Sequence, residues 1–315
     1  MRLWECRLAV ARGMADAVAA RVAPPWVVLE DRATGRVAVA GYFNSRGSAA
    51  AAGWRLTATL PAGWRRGRAR LRVLAAADWR ESYKAHFRRW RLGRLHWVPV
   101  WERGTFALPP GHQVVWLDPG MAFGTGNHET TRLCCRRLVA YAAAARRARS
   151  NPKTKTQNPA PNVIDAGCGS GILALSAARL GLGPVRGFDL DPEAVQISRR
   201  NAARNGVKAG LEFRVAGLDA GLARRRAGLV LANIQADVLR RHARALIRAV
   251  VPGGWLVLSG ILRAELQPTR ATFVRLAPGW TMDSRTLGQW ADLALCRPAR
   301  AQNRSGGVRL RNSSR

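Results

Sequence analysis

The 315-residue chain is 48% hydrophobic, which excludes wholesale disorder and leaves room for a sizeable core plus a smaller second module. No run approaches a membrane span, since the most apolar stretch, residues 249–262, is broken by Pro252, Gly253 and Gly254. A formal charge of +33 favours a nucleic-acid or other polyanion-rich partner, through counterion release and electrostatic steering.

Part of that charge is compositional, because only Lys84, Lys153, Lys155 and Lys208 are lysines and the other bases are arginines. The polar segments 146–162 and 299–315 hold basic and no acidic residues, yet the rest of the chain stays strongly basic without them. Cys6, Cys134, Cys135, Cys168 and Cys296 form neither a C-x-x-C pair nor a disulfide framework, and the histidines are scattered. A reducing, cytoplasmic setting without a metal is therefore expected. The opening residues, Met1-Arg2-Leu3-Trp4-Glu5-Cys6-Arg7, lack the basic patch and apolar core of a secretion signal.

In chain order, residues 4–10, 26–30, 37–43 and 69–74 read as strands and 14–22 as an apolar-periodic helix, while 49–60 give no clear period. A small βαββαβ-like α+β domain over residues 1–76 fits this order. The stretch 77–116 carries Trp79, Trp90, Trp97 and Trp101 among arginines. It reads as a connector whose rings fill a seam between modules rather than stack on bases. From 117 to 298, apolar strands at 163–165, 185–189, 229–233 and 255–259 alternate with helix-period segments, the rhythm of an α/β domain. Inside it, residues 146–162 read as an exposed polar insertion, and residues 299–315 read as a disordered tail.

The motif Asp165-Ala166-Gly167-Cys168-Gly169-Ser170-Gly171 lies between a buried strand and an apolar helix. Its glycines let the backbone take positive φ and approach a ligand, and the N–H groups of the helix start suit a carboxylate or phosphate. Asp189, ending the next strand, is placed to accept hydrogen bonds from both ribose hydroxyls of a nucleoside cofactor. Ile172 stands where a dinucleotide fold wants its third glycine, so a nicotinamide oxidoreductase is only the runner-up. With Asp165 ahead of the first glycine as an anchor for backbone amides, the turn is similar to the S-adenosyl-L-methionine pattern of methyltransferases.

Asn233 ends the strand 229–233 on the same ligand-binding edge and is the candidate catalytic residue. Methyl transfer to a lysine needs the neutral amine, which costs roughly 4 kcal/mol near pH 7.5. A carboxylate would oppose that deprotonation, whereas an amide orients the amine without stabilising its ammonium form. Upstream, Asp118-Pro119-Gly120-Met121-Ala122-Phe123-Gly124-Thr125-Gly126-Asn127-His128-Glu129-Thr130-Thr131 reads as a loop and helix N-cap, with Thr130 or Thr131 as cap and glycines that suit close ligand approach.

Residues 117–126, the glycine turn, Asp189-Leu190-Asp191-Pro192, Ala232-Asn233-Ile234 and Ser259-Gly260-Ile261-Leu262 together resemble the PrmA family, which methylates large-subunit ribosomal protein eleven. The resemblance implies a class I methyltransferase with a Rossmann-like doubly wound sheet and S-adenosyl-L-methionine as cofactor. By motif match it makes Thr131, Gly167, Asp189 and Asn233 cofactor contacts, with Gly169 in the same turn. It further implies transfer to lysine side chains and the N-terminal amine of the ribosomal protein, recognised through the N-terminal domain. Asn127 and Glu129 depart from the threonine and proline that usually flank the loop histidine in that family. A ribosomal RNA contact, an RNA or small-molecule amine acceptor, and an idle ribosome-binding module are the other readings.

Overall fold

A computed structural model describes residues 3–19, 21–22, 26–31, 34–74, 87–118, 128–150, 162–207 and 209–299. The chain divides into two compact units, Met1–Ala85 and His86–Arg315.

In the first unit the order is β1 (Leu3–Val10), α1 (Ala15–Ala19), β2 (Trp26–Asp31), β3 (Arg36–Phe43), α2 (Arg46–Thr59) and β4 (Arg70–Leu74). The strands form one antiparallel sheet in the order β2-β3-β1-β4. Alternation along β1 and β3 sends Leu8, Val10, Val37 and Val39 to one face, where they bury against Val18, Leu56 and Leu60. Residues 49–60, without a legible period, fall almost wholly in α2. Ser45 caps this helix, its hydroxyl accepting from the Ser48 N–H at 3.1 Å. Its buried face is small, Ala49, Ala52 and Gly53 before Leu56, because the helix lies close on β1: a Cβ on Gly53 would stand 2.6 Å from Cys6 Sγ.

The second unit begins with a three-stranded sheet, β5 (Trp90–Leu92), β6 (Leu95–Pro99) and β7 (Gln113–Leu117), in that order. Most of the stretch expected as a connector from 77 to 116 thus belongs to this unit itself, with Phe87, Leu95, Trp97 and Val115 in its core. Trp97 is fully buried, stacks on Trp90 at 3.9 Å and donates its indole N–H to the Ser176 hydroxyl at 2.8 Å. The rings fill space inside the unit because three short strands offer too little aliphatic surface to close it alone. Trp79 lies outside the described residues.

Next come α3 (Glu129–Ser150), β8 (Val163–Ala166), α4 (Ile172–Arg179), β9 (Val185–Asp189), α5 (Pro192–Arg204), β10 (Leu211–Val215), α6 (Leu218–Leu222) and β11 (Ala227–Asn233). After these follow α7 (Ala236–Arg241), α8 (Ala243–Arg248), β12 (Val250–Leu262), α9 (Leu266–Leu276), β13 (Thr281–Leu287) and β14 (Trp290–Cys296). The seven-stranded sheet has the order β10-β9-β8-β11-β12-β14-β13, parallel through β12 and antiparallel in its last pairs. Both faces are buried, so the strands read as unbroken apolar runs: Val163, Leu229, Leu231 and Val257 enter one core, while Ile164, Val230, Ala232 and Leu258 enter the other. This is the doubly wound α/β sheet expected from the sequence.

The helix α3 runs through Ser150, into the segment expected as a polar insertion from 146; residues 151–161 and the tail 300–315 lie outside the described residues. The order of the sheet reverses at β8, with β9 on one side and β11 on the other. In such sheets the crevice beyond the carboxyl ends of these strands is the ligand site.

Candidate active site

Three glycines make the turn after β8. Gly167, Gly169 and Gly171 have φ of 78°, 53° and 80°, the left-handed region that glycine enters without steric cost. Close approach adds to the need, since a Cβ on Gly167 would lie 2.5 Å from Ile234 Cγ2. Asp165, fully buried below the turn, accepts from the Ala174 N–H at 3.0 Å and so ties the first turn of α4 to β8. Burial, partly offset by that N–H and reinforced by the charge of Asp189, raises its pKa to about 7.

Asp189 sits at the end of β9, across from the turn. One carboxylate oxygen accepts from the Gly169 N–H at 2.9 Å and the other from the Asp191 N–H at 3.1 Å, which fixes the side chain at the mouth of the crevice. The turn is braced from behind by α5, where the Ser198 hydroxyl donates to the Gly169 carbonyl at 2.8 Å and Asn201 Nδ2 donates to the Ser170 carbonyl at 3.0 Å. Asn201 also accepts from the Asp118 N–H and donates to the Asp118 carbonyl, both at 3.0 Å. Together with Asn205, which does the same for Trp116, it satisfies the edge of β7 as a neighbouring strand would.

Asn233 ends β11. Its Nδ2 donates to the Thr131 hydroxyl at 3.4 Å, and its buried Oδ1 has no hydrogen-bond partner among the described residues. A buried amide oxygen left unpaired costs about 1–3 kcal/mol, so its place on the crevice marks a position where a ligand N–H belongs. Thr130 and Thr131 are both buried in the first turn of α3. Thr130 lines the crevice, with its carbonyl accepting from Ser259 Oγ at 3.2 Å, whereas Thr131 stands behind Asn233 and does not line it.

These parts enclose a cleft of about 900 Å³, with Gly167, Gly169, Asp189, Asn233 and Thr130 in its wall. The N–H groups at the start of α4 offer donors to a carboxylate, Asp189 offers acceptors to a ribose, and Asn233 Oδ1 offers one to an amine. This donor and acceptor set fits S-adenosyl-L-methionine.

One of the lining residues, Trp290, was not singled out from the sequence. Trp290 faces the cleft and meets His128 edge to face at 4.9 Å, and the His128 ring bonds Thr130 Oγ1 at 2.9 Å. Trp290 gets there because β14 runs antiparallel to β12, pairing with Leu262, so its first residue comes to the edge where the parallel strands end. No local pattern announces that. Gly260, with φ of 82°, lies one residue beyond Ser259, the β12 partner of Asn233. A Cβ there would be under 3 Å from the backbone of Ile234. Pro119 to Asn127 of the glycine-rich loop lie outside the described residues.

Over residues 15–297 the chain matches the family model described as ribosomal protein L11 methyltransferase (PrmA). It is 41% identical over 233 residues to a ribosomal protein L11 methyltransferase of Pelobacter propionicus, covering 73% of this chain and 70% of that protein. A protein of the same name from Geobacter metallireducens is 43% identical over 223 residues, covering 70% and 67%. Among solved structures, a ribosomal protein L11 methylase from Lactobacillus delbrueckii subsp. bulgaricus aligns with a TM-score of 0.53 at 28% identity, covering 65% of this chain and 95% of that one.

Proposed function

The chain belongs to the ribosomal protein L11 methyltransferase (PrmA) family, and from that premise we propose that its crevice carries out methyl transfer to amines of ribosomal protein L11 with Asn233 as the residue that orients the amine. The cofactor is S-adenosyl-L-methionine, which supplies an electrophilic methyl group on a sulfonium that is already a good leaving group. Gly167 and Gly169 would admit it to the backbone, and Asp189 would hold its ribose. Thr131 would act through Asn233, keeping the amide turned by the 3.4 Å contact between them.

The observation that carries this reading is the buried Oδ1 of Asn233 at the sheet edge, which has no partner among the described residues. It can accept from a neutral amine while favouring the ammonium form far less than a carboxylate would, so it adds little to the roughly 4 kcal/mol cost of the neutral form near pH 7.5. Alignment then supplies the rate enhancement, and the amine's excess proton leaves to water before attack. Transfer to lysine side chains and the terminal amine, recognition of the protein by the first unit, and a cytoplasmic setting complete the proposal. Among the described residues no helix is long and apolar enough to cross a membrane.

Exchanging Asn233 for alanine tests the assignment: turnover on L11 should fall while cofactor affinity, read by calorimetry, changes little. An unchanged turnover with only weakened cofactor binding would give Asn233 a cofactor role instead. Family membership sets aside the nicotinamide and idle-module readings.

A further inference from the structure

The three-stranded sheet at the start of the second unit carries a separate cavity of about 420 Å³, lined by Arg89, Trp90, Arg91, His96, Thr105 and Phe106. Its chemistry differs from that of the cleft at Asn233, because it joins aromatic walls to exposed guanidinium groups. The Arg89 guanidinium lies 5.7 Å from the centre of the Phe106 ring, and its side chain remains 56% exposed although it pairs with Glu102 at 3.1 Å. Arg91 is exposed, and among the described residues no carboxylate pairs with it.

The aromatic part is held rigidly. His96 packs on Phe106 at 5.5 Å and shares a 2.7 Å hydrogen bond with His112, while Phe106 meets Trp116 edge to face at 6.0 Å. Trp90 has one ring face on Trp97 and lies 5.3 Å from the Arg132 guanidinium, so its faces are engaged and its edge is what remains. On that edge the buried indole Nε1 has no hydrogen-bond partner among the described residues. An unpaired buried donor is uncommon enough to call for an acceptor.

We propose that this cavity is a docking site for single-stranded RNA, with a base stacked on Phe106 and Arg89, Trp90 Nε1 donating to the base, and flanking phosphates on Arg89 and Arg91. Flat aromatic surface interleaved with arginine is what a nucleobase and its backbone use together, the ring by stacking and the phosphate by charge. An acidic peptide would use the guanidinium groups and could accept from the indole, but it would leave the stacking plane unused. The formal charge of +33 supplies long-range attraction for the same polyanion. The choice of RNA over DNA rests on the ribosomal reading above; the cavity itself does not depend on methyl transfer.

The test is fluorescence anisotropy of the full-length protein with a labelled, unstructured RNA oligonucleotide at several salt concentrations, with single-stranded DNA and a polyglutamate peptide as parallel probes. Phe106→Ala should weaken RNA binding by about 5- to 150-fold. Arg91→Gln, on an exposed side chain that does not threaten folding, should flatten the salt dependence by about 0.7 in log–log slope, the value for one phosphate no longer neutralised. Ultraviolet crosslinking to uridine should map to the peptide holding Phe106. Both variants should keep wild-type methylation of free L11, which separates this site from the catalytic one. Unchanged affinity and slope in both variants, or tighter binding of polyglutamate than of RNA, would overturn the proposal. Equal binding of DNA would overturn only the choice of RNA.

Discussion

Asp165 shows how one buried carboxyl couples the glycine turn to pH. Its pKa is raised from 3.8 to about 7, chiefly by burial and further by Asp189, so the folded chain binds this proton more tightly than the unfolded one. Stability from that proton is therefore full below the unfolded pKa and is lost as pH rises through the folded value. In cofactor-free protein, the melting temperature of the wild type should decline relative to Asp165→Asn between about pH 4 and pH 7. Parallel curves for the two proteins would show that the charge is compensated. At Asp189 both oxygens already accept backbone N–H groups, so Asp189→Ala removes a ribose acceptor and frees Gly169 together. Cofactor affinity should drop by about 1.5–3 kcal/mol in calorimetry, and an unchanged value would refute the ribose assignment. Asp165, Gly167, Asp189 and Asn233 could be read from the sequence because each ends or follows a short apolar strand. The partnership of Asn233 with Thr131 could not, because it joins residues 102 apart in the chain.

Among the elements, α3 carries the most consequence for the site, since its first turn holds Thr130 and Thr131. Two turns on, Arg137 anchors it: Nε and Nη2 donate to the two oxygens of the fully buried Asp292 at 2.9 and 2.7 Å, and Nη1 reaches Asp283. Replacing Arg137 by methionine keeps the bulk but strands the Asp292 charge, which should cost about 3–5 kcal/mol in denaturant unfolding. A loss below about 1 kcal/mol would place the pair in the class of surface bridges. This clamp is invisible to local patterning, as it links α3 to strands more than 140 residues away. The strands β5 to β7 were hidden for a related reason: they are short and rich in tryptophan, and the contact that buries Trp97 reaches Ser176, far along the chain. By contrast β8, β9 and β11 announced themselves, being short, largely apolar and closed by Asp, Asn or Gly.

For the molecule as a whole, the two units have separate cores. Leu8, Val18, Val39 and Leu56 belong to the first, and every described residue of the methyl-transfer cleft belongs to the second. A chain starting at His86 should therefore still bind S-adenosyl-L-methionine while losing methylation of intact L11, if the first unit recognises the protein. Retained methylation at the wild-type rate would put substrate recognition in the second unit. The central claim is transfer to the ribosomal protein at Asn233. It is tested most directly by incubating full-length enzyme and its Asn233→Ala variant with labelled cofactor, purified L11 and free ribosomal RNA, then locating the label by mass spectrometry. The account predicts methyl groups on L11 amines with the wild type, few with the variant and none on RNA. Label on RNA with L11 untouched, or equal labelling of L11 by both proteins, would contradict it.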